Sequence, residues 1–239
     1  MTFAKSSIFL SFLIIIAGLF AVSAIAQNEG NTMLNEKQQA IVTIAAFTAN
    51  GDIEKLKASL NDGLDAGLTV NEAKEVLVQT YAYAGFPRSL NGLTALMQVL
   101  EARKASGKTD EVGKDAAPVP TDRSMLQIGT EIQTEVVGQP VVGPVYDFAP
   151  AIDQFLKSHL FGDIFIRDVL DYQTREVATI AILATLPGLE PQLQGHYSVG
   201  MNTGLSENQL KQIVTILNNK VGTDVGTRAQ TVLNRVLSK

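Results

Sequence analysis

The sequence predicts an all-α protein made of two tandem helical units packed as a pseudo-dimer, and three observations carry that expectation. The first is internal repetition. Gly51, Leu56, Gly63, Gly67 and Leu68 recur as Gly188, Leu193, Gly200, Gly204 and Leu205; Asn71, Lys74, Gly85, Leu96, Val99 and Leu100 continue the register as Asn208, Lys211, Gly222, Leu233, Val236 and Leu237. Upstream the offset shortens by one residue, so that Leu34 and Thr43-Ile44-Ala45 match Leu170 and Thr179-Ile180-Ala181. A match this long implies two copies of one structural unit. The second observation is apolar spacing: Ile53, Leu56, Leu60 and Leu64 form one helical stripe, and Leu189, Leu193, Tyr197 and Met201 form its counterpart. The third is a repeated helix boundary. Gly67-Leu68-Thr69 and Gly204-Leu205-Ser206 each set a hydroxyl three residues before Glu72 or Gln209, a capping box following a glycine suited to the left-handed end of a helix.

Residues 1–26 read as an export signal. Lys5 is their only charge, Ile8 to Val22 is apolar apart from Ser11 and Gly18, and Ala24-Ile25-Ala26 places small residues for cleavage before Gln27. The run is shorter than the roughly 20 residues of a membrane span, so an uncleaved anchor is the weaker alternative. No cysteine follows it, which excludes a lipid-modified anchor. The mature protein is expected to be periplasmic or secreted, with no stable membrane insertion.

Residues 27–103 form the first unit, with helices expected over 34–49, 53–64, 71–84 and 88–103. Residues 104–120 are rich in Lys, Gly, Asp, Ala and Pro without a helical stripe and read as an exposed linker. Residues 121–239 form a larger second unit. It opens with a helix over 125–136, a Gly/Pro/Val-rich stretch over 138–145 and one or two helices within 149–170. Four helices matching those of the first unit follow.

Composition removes several functions. The net charge is -5 and no basic cluster stands out, so nucleic acid is not an expected partner. The chain has no Cys, so disulfides and thiol chemistry are excluded and stability must come from packing or oligomerisation. No metal-ligand spacing, phosphate loop or nucleophile motif is present.

The residues that can carry chemistry differ between the copies. Glu176 stands in the first turns of its helix, in line with Ile180 and Leu183, and His196 stands at the edge of the stripe three residues after Leu193. Packed together, these helices bring an acid and an imidazole into a semi-apolar crevice suited to proton transfer. The spacing also fits a hydrogen-bonded core histidine beside a carboxylate favoured by the helix dipole. The first copy has Ala40 and Ser59 at these positions. It has instead the corner Tyr81-Ala82-Tyr83-Ala84-Gly85-Phe86-Pro87-Arg88-Ser89-Leu90-Asn91, where Gly85 ends one helix and Pro87 begins the next. Arg88, Ser89 and Asn91 then lie in a first turn, a reasonable place to bind a carboxylate. His159, the other histidine, is read as structural.

Three stretches resemble the carboxymuconolactone decarboxylase family, whose superfamily includes the AhpD-type alkylhydroperoxidases. They are Phe161-Gly162-Asp163-Ile164 with Leu170 to Glu176, then Leu193-Gln194-Gly195-His196 to Leu205, and Val78 to Asn91. The resemblance implies an all-helical AhpD-like fold with no metal or organic cofactor. It also implies a homo-oligomer, since relatives form rings of paired subunits and a tandem chain supplying one pair would complete such a ring as a trimer. It maps the catalytic acid and histidine onto Glu176 and His196. The peroxidase branch needs a Cys-x-x-Cys pair before the histidine, where this chain has Leu189 and Gln192, so that route is closed. The remaining expectation is a cofactor-independent lyase or isomerase acting on a small carboxylated lactone or related acid. Arg88, Tyr81, Tyr83 and Asn91 would be its substrate contacts. The alternative is an exported helical scaffold without catalysis.

Overall fold

The computed structural model describes residues 33–238, so the expected signal segment and its cleavage point lie outside the described residues. Among the described residues the regular structure is entirely helical. The first four helices are α1 (Glu36–Asn50), α2 (Ile53–Asp65), α3 (Val70–Ala84) and α4 (Phe86–Ala105). Next come α5 (Met125–Val137), α6 (Pro144–Phe148) and α7 (Pro150–Phe155), the last running into a π-helical segment, Leu156–Phe165. The chain closes with α8 (Tyr172–Thr185), α9 (Glu190–Asn202), α10 (Glu207–Ile216) with a π-helical turn Leu217–Val221, and α11 (Thr223–Leu237). Among the described residues no helix is long and apolar enough to cross a membrane.

The local chemistry explains the boundaries. At α3 the Glu72 N–H donates to Thr69 Oγ1 at 3.2 Å while the Thr69 N–H donates to Glu72 Oε2 at 2.7 Å. Ser206 and Gln209 repeat the arrangement at α10, at 3.2 and 2.8 Å. Each box satisfies two of the N–H groups that a helix start leaves without intrahelical partners. Helix α4 begins two residues before Arg88, because Pro87 in a first turn forfeits no hydrogen bond.

Helices α1 and α8 are buried almost all round and pack on each other at the centre of one apolar core fed by both ends of the chain. Ile41, Val42, Ile44 and Ala45 contribute from α1, and Val177, Ala178, Ile180 and Ile182 from α8. Apolar burial is the dominant favourable term in folding, so this shared core binds the two halves into one folding unit. A second, smaller cluster forms where α5 lies on the π-helical segment, through Ile128, Ile132, Val136, Phe161 and Phe165.

Two features differ from the sequence expectation. Met201, placed on the α9 stripe, is 38% exposed, because Tyr197 takes the deep position and donates its hydroxyl to the Ala229 carbonyl at 3.2 Å. The segment after α4 is exposed but tied down. The Val70 and Asn71 N–H groups donate to the Glu111 and Val112 carbonyls, both at 2.9 Å. Arg103, itself buried, holds Asp110 through Nη2 at 2.7 Å and Asp65 at 2.9 Å. Further on, the Ala117 N–H donates to Asp168 at 2.8 Å, so the strap is fastened at both ends.

Candidate active site

Helix α9 closes on α8 because Gly200 has no side chain. A Cβ there would lie 3.2 Å from Ile180 Cδ1 and 3.0 Å from Leu205 Cδ1. Gly63 meets Ile44 and Leu68 in the same way in the first unit. One turn earlier on each helix, Glu176 and His196 meet: His196 Nδ1 is 2.7 Å from Glu176 Oε2. The glutamate side chain is 1% exposed and the imidazole 20%. A carboxylate buried this far must be paired or neutral, and the imidazole supplies the pair. With Glu176 as carboxylate, this contact takes a proton on Nδ1 and leaves Nε2 as the ring's second polar atom. Glu176 Oε1 has no hydrogen-bond partner among the described residues, so the crevice retains a buried acceptor as well.

The first unit builds the opposite wall. Tyr83, near the end of α3, presents its ring edge-on to His196, with centroids 5.8 Å apart and planes at 83°. Its phenol is 3.4 Å from Thr179 Oγ1. Burial pushes that phenol above its ordinary range, and the charge of Glu176 adds to the effect, so it remains a neutral hydroxyl. Beneath it, Gln79 Nε2 donates to Thr179 Oγ1 at 2.8 Å and to the Arg175 carbonyl at 2.9 Å, while Gln79 Oε1 accepts from Arg175 Nη1 at 2.8 Å. Arg175 is fully buried and also reaches Glu75 at 3.2 Å. Arg167 holds the other side of Glu75 at 2.7 Å. Burial draws the Arg175 guanidinium down from its usual range, and the Glu75 charge opposes that fall. The residue immediately before Glu176 is therefore bolted to the first unit by a buried polar network.

The expected substrate contacts divide. Tyr83 reaches the pair. Tyr81, two residues earlier and so on another side of α3, places its hydroxyl 2.8 Å from His159 Nε2 and stacks on Phe86 at 3.9 Å. His159 Nδ1 is 2.7 Å from Asp163, so the histidine read as structural is held from both ring nitrogens. Arg88 is exposed, and its guanidinium fills the space that a Cβ on Gly51 would need; no hydrogen bond or ion pair joins it to Glu176 or His196. Gly51 caps the C-terminal end of α1, whose partial negative charge suits a cation placed over it. Asn91 is exposed on α4. The cleft of about 450 Å³ bounded by Ala40, Thr43, Phe47 and Ser59 includes neither Glu176 nor His196 in its lining.

Sequence reasoning missed Gln79, Thr179, Arg175, Glu75 and Arg167. For Glu75, Gln79 and Arg175 the available signal was a charged or amide residue on the buried side of a helix, where such groups persist only when paired; Arg167 lies in the turn before α8 and carries no such signal. Among the described residues no group of three or more His, Cys, Asp or Glu is placed to hold a metal ion.

Fold and site together define an all-helical protein with a buried acid–imidazole pair closed over by a tyrosine from the other half of the chain. The carboxymuconolactone decarboxylase family model matches residues 21–98. The 4-carboxymuconolactone decarboxylase of Acinetobacter baylyi is 30% identical over 97 residues, 39% of this chain and 72% of that protein. An uncharacterised protein of Methanocaldococcus jannaschii is 30% identical over 66 residues, 28% of this chain and 62% of its own length. The chain belongs to the carboxymuconolactone decarboxylase family.

Proposed function

We propose that this protein is an exported, tandem member of the family and a cofactor-independent acid/base lyase or isomerase acting on a small carboxylated lactone or related acid. The observation that carries the reading is the 2.7 Å contact between Glu176 and His196 Nδ1 beneath Tyr83. In a decarboxylation the bond to the carboxylate carbon breaks, CO2 leaves, and the electron pair moves into the conjugated lactone as an enolate. His196, as imidazolium, stabilises that charge from Nε2 and then returns the proton to carbon. Glu176 accepts from Nδ1–H and so orients the ring. Tyr83, neutral and adjacent, is the first-unit contact for the enolate or carboxylate oxygen. Arg88 is left out of this arrangement, because its guanidinium lies over Gly51.

Association into a homo-oligomer, as a trimer of tandem chains, is part of the same proposal. Exposed Phe86, Leu90 and Met97 on one face of α4 support it. The alternative, a scaffold without catalysis, draws on the narrowness of the crevice, which exposes only a fifth of His196.

The test is decarboxylation of carboxymuconolactone by the mature chain, beside His196→Ala and Glu176→Gln. Loss of about 10²- to 10⁴-fold is expected for His196→Ala and roughly tenfold or more for Glu176→Gln. Equal rates in all three proteins, or no turnover by any, would overturn the reaction and leave the scaffold.

A further inference from the structure

One cleft occupies the position in the first unit that corresponds to Glu176 and His196. In the register of the sequence the surroundings of that pair have counterparts: Ala40 for Glu176, Thr43 for Thr179, Ser59 for His196, Ile216 for Gln79 and Lys220 for Tyr83. All five line one cleft of about 450 Å³. The volume lies within the range of small-molecule pockets. Where the second unit fills this place with a carboxylate and an imidazole, Ala40 and Ser59 leave it open.

The lining specifies a ligand. Phe47, Ala58 and Ile216 supply apolar wall. Lys220 brings a cation where the other site has a phenol; it is exposed and makes no ion pair among the described residues. Lys55 stands 5.6 Å over the Phe47 ring and is paired with Asp52 at 3.2 Å, so it adds positive potential without being the free partner. Glu36 and Asp62, both exposed, also line the cleft and oppose a second negative charge on a ligand. We propose that this cleft binds a small monocarboxylate with one flat apolar body, its carboxylate on Lys220 and its body against Phe47 and Ile216. With Ala40 and Ser59 in place of an acid–imidazole pair, it binds without turnover. The inference stands whether or not His196 does chemistry.

Benzoate, which has one carboxylate and one ring, is the probe. Calorimetric titration of the mature chain is compared with Lys220→Ala, Ala58→Trp and His196→Ala. Lys220 and Ala58 are exposed, so neither substitution threatens folding. The expected results are saturable binding by the unaltered chain, the same Kd in His196→Ala, about tenfold weakening in Lys220→Ala as one charge-assisted contact is lost, and no binding in Ala58→Trp. Absence of saturable binding, binding unchanged in both Lys220→Ala and Ala58→Trp, or binding abolished by His196→Ala would each overturn the proposal.

Discussion

Gln79 and Arg175 grip each other at two points: the Gln79 amide donates to the Arg175 carbonyl at 2.9 Å, and its oxygen accepts from Arg175 Nη1 at 2.8 Å. Both side chains are fully buried. This pair fixes the turn of α8 that carries Glu176 to a helix of the other unit, so the geometry of the acid–imidazole contact depends on the packing between halves. Replacing Gln79 by Leu leaves a buried guanidinium N–H and the Arg175 carbonyl without that partner. A cost of about 2–4 kcal/mol is expected, which lowers Tm by roughly 5–15 °C in a chain of this size. Thermal unfolding followed by circular dichroism measures it. A Tm within about 1 °C of the unaltered protein would show that the network contributes no stability.

The strap after α4 gives a pH-dependent term. Hydrogen bonds from Arg103 and then Lys108 hold the Asp65 carboxyl down at about 2, against an ordinary value of 3.8. A carboxylate whose folded value is depressed stabilises the fold fully above its unfolded value and loses that contribution as pH falls through the folded one. The window is therefore pH 3.8 to about 2. Because Asp65 is half exposed, solvent screening keeps the effect small. Tm measured between neutral pH and this window should fall less steeply for Asp65→Asn than for the unaltered chain. Parallel curves would remove the Arg103 contact from the stability of the strap.

Arg88 provides a sharper discrimination, since the sequence placed it in the substrate site and the structure places it over Gly51. Arg88→Ala should cost less than about 1 kcal/mol, the scale of a cation at an exposed helix C-terminus. It should leave KM within about twofold, because no interaction with bound substrate is lost. A tenfold rise in KM with Tm unchanged would return Arg88 to the site.

The difference between these residues marks what the sequence could disclose. The contact between Glu176 and His196 was legible because the register proposed from the sequence sets Ala40 and Ser59 against them and so draws attention to both. The helix order was legible because capping boxes and glycine turns are local signals. Side-chain direction at the Tyr81–Asn91 corner was not. Tyr81 and Tyr83 are two residues apart on α3 and point to different histidines, a consequence of 3.6-residue periodicity that becomes decisive only once the neighbouring helices are placed. His159 gained Tyr81 and Asp163 as partners through the π-helical segment, and no spacing rule anticipates ten residues of that conformation, which is rare beyond a single turn. The chain Gln79–Arg175–Glu75–Arg167, buried except at Arg167, joins α3 to α8 and has no local signature.

The two tyrosines therefore make a paired test. Tyr83 stands edge-on to His196 with its hydroxyl turned toward Thr179, and Tyr83→Phe keeps the ring packing while removing the hydroxyl. If that hydroxyl contacts the developing charge, kcat should fall about 10- to 100-fold with little change in Tm. Tyr81→Phe removes the hydroxyl bonded to His159 and should leave kcat within about twofold, because that histidine lies outside the acid–imidazole pair. Tyr83 also predicts alkaline behaviour. Its folded value is raised by burial and by Glu176, so the folded chain holds this proton more tightly than the unfolded one. Its contribution is fully present below the ordinary value of 10.0 and is lost as pH rises beyond it. Tm measured from neutral pH into that range should decline for the unaltered protein and more gently for Tyr83→Phe. If Tyr81→Phe rather than Tyr83→Phe lowers kcat, the reacting group lies on the His159 side of α3, and the assignment to Glu176 and His196 fails with it.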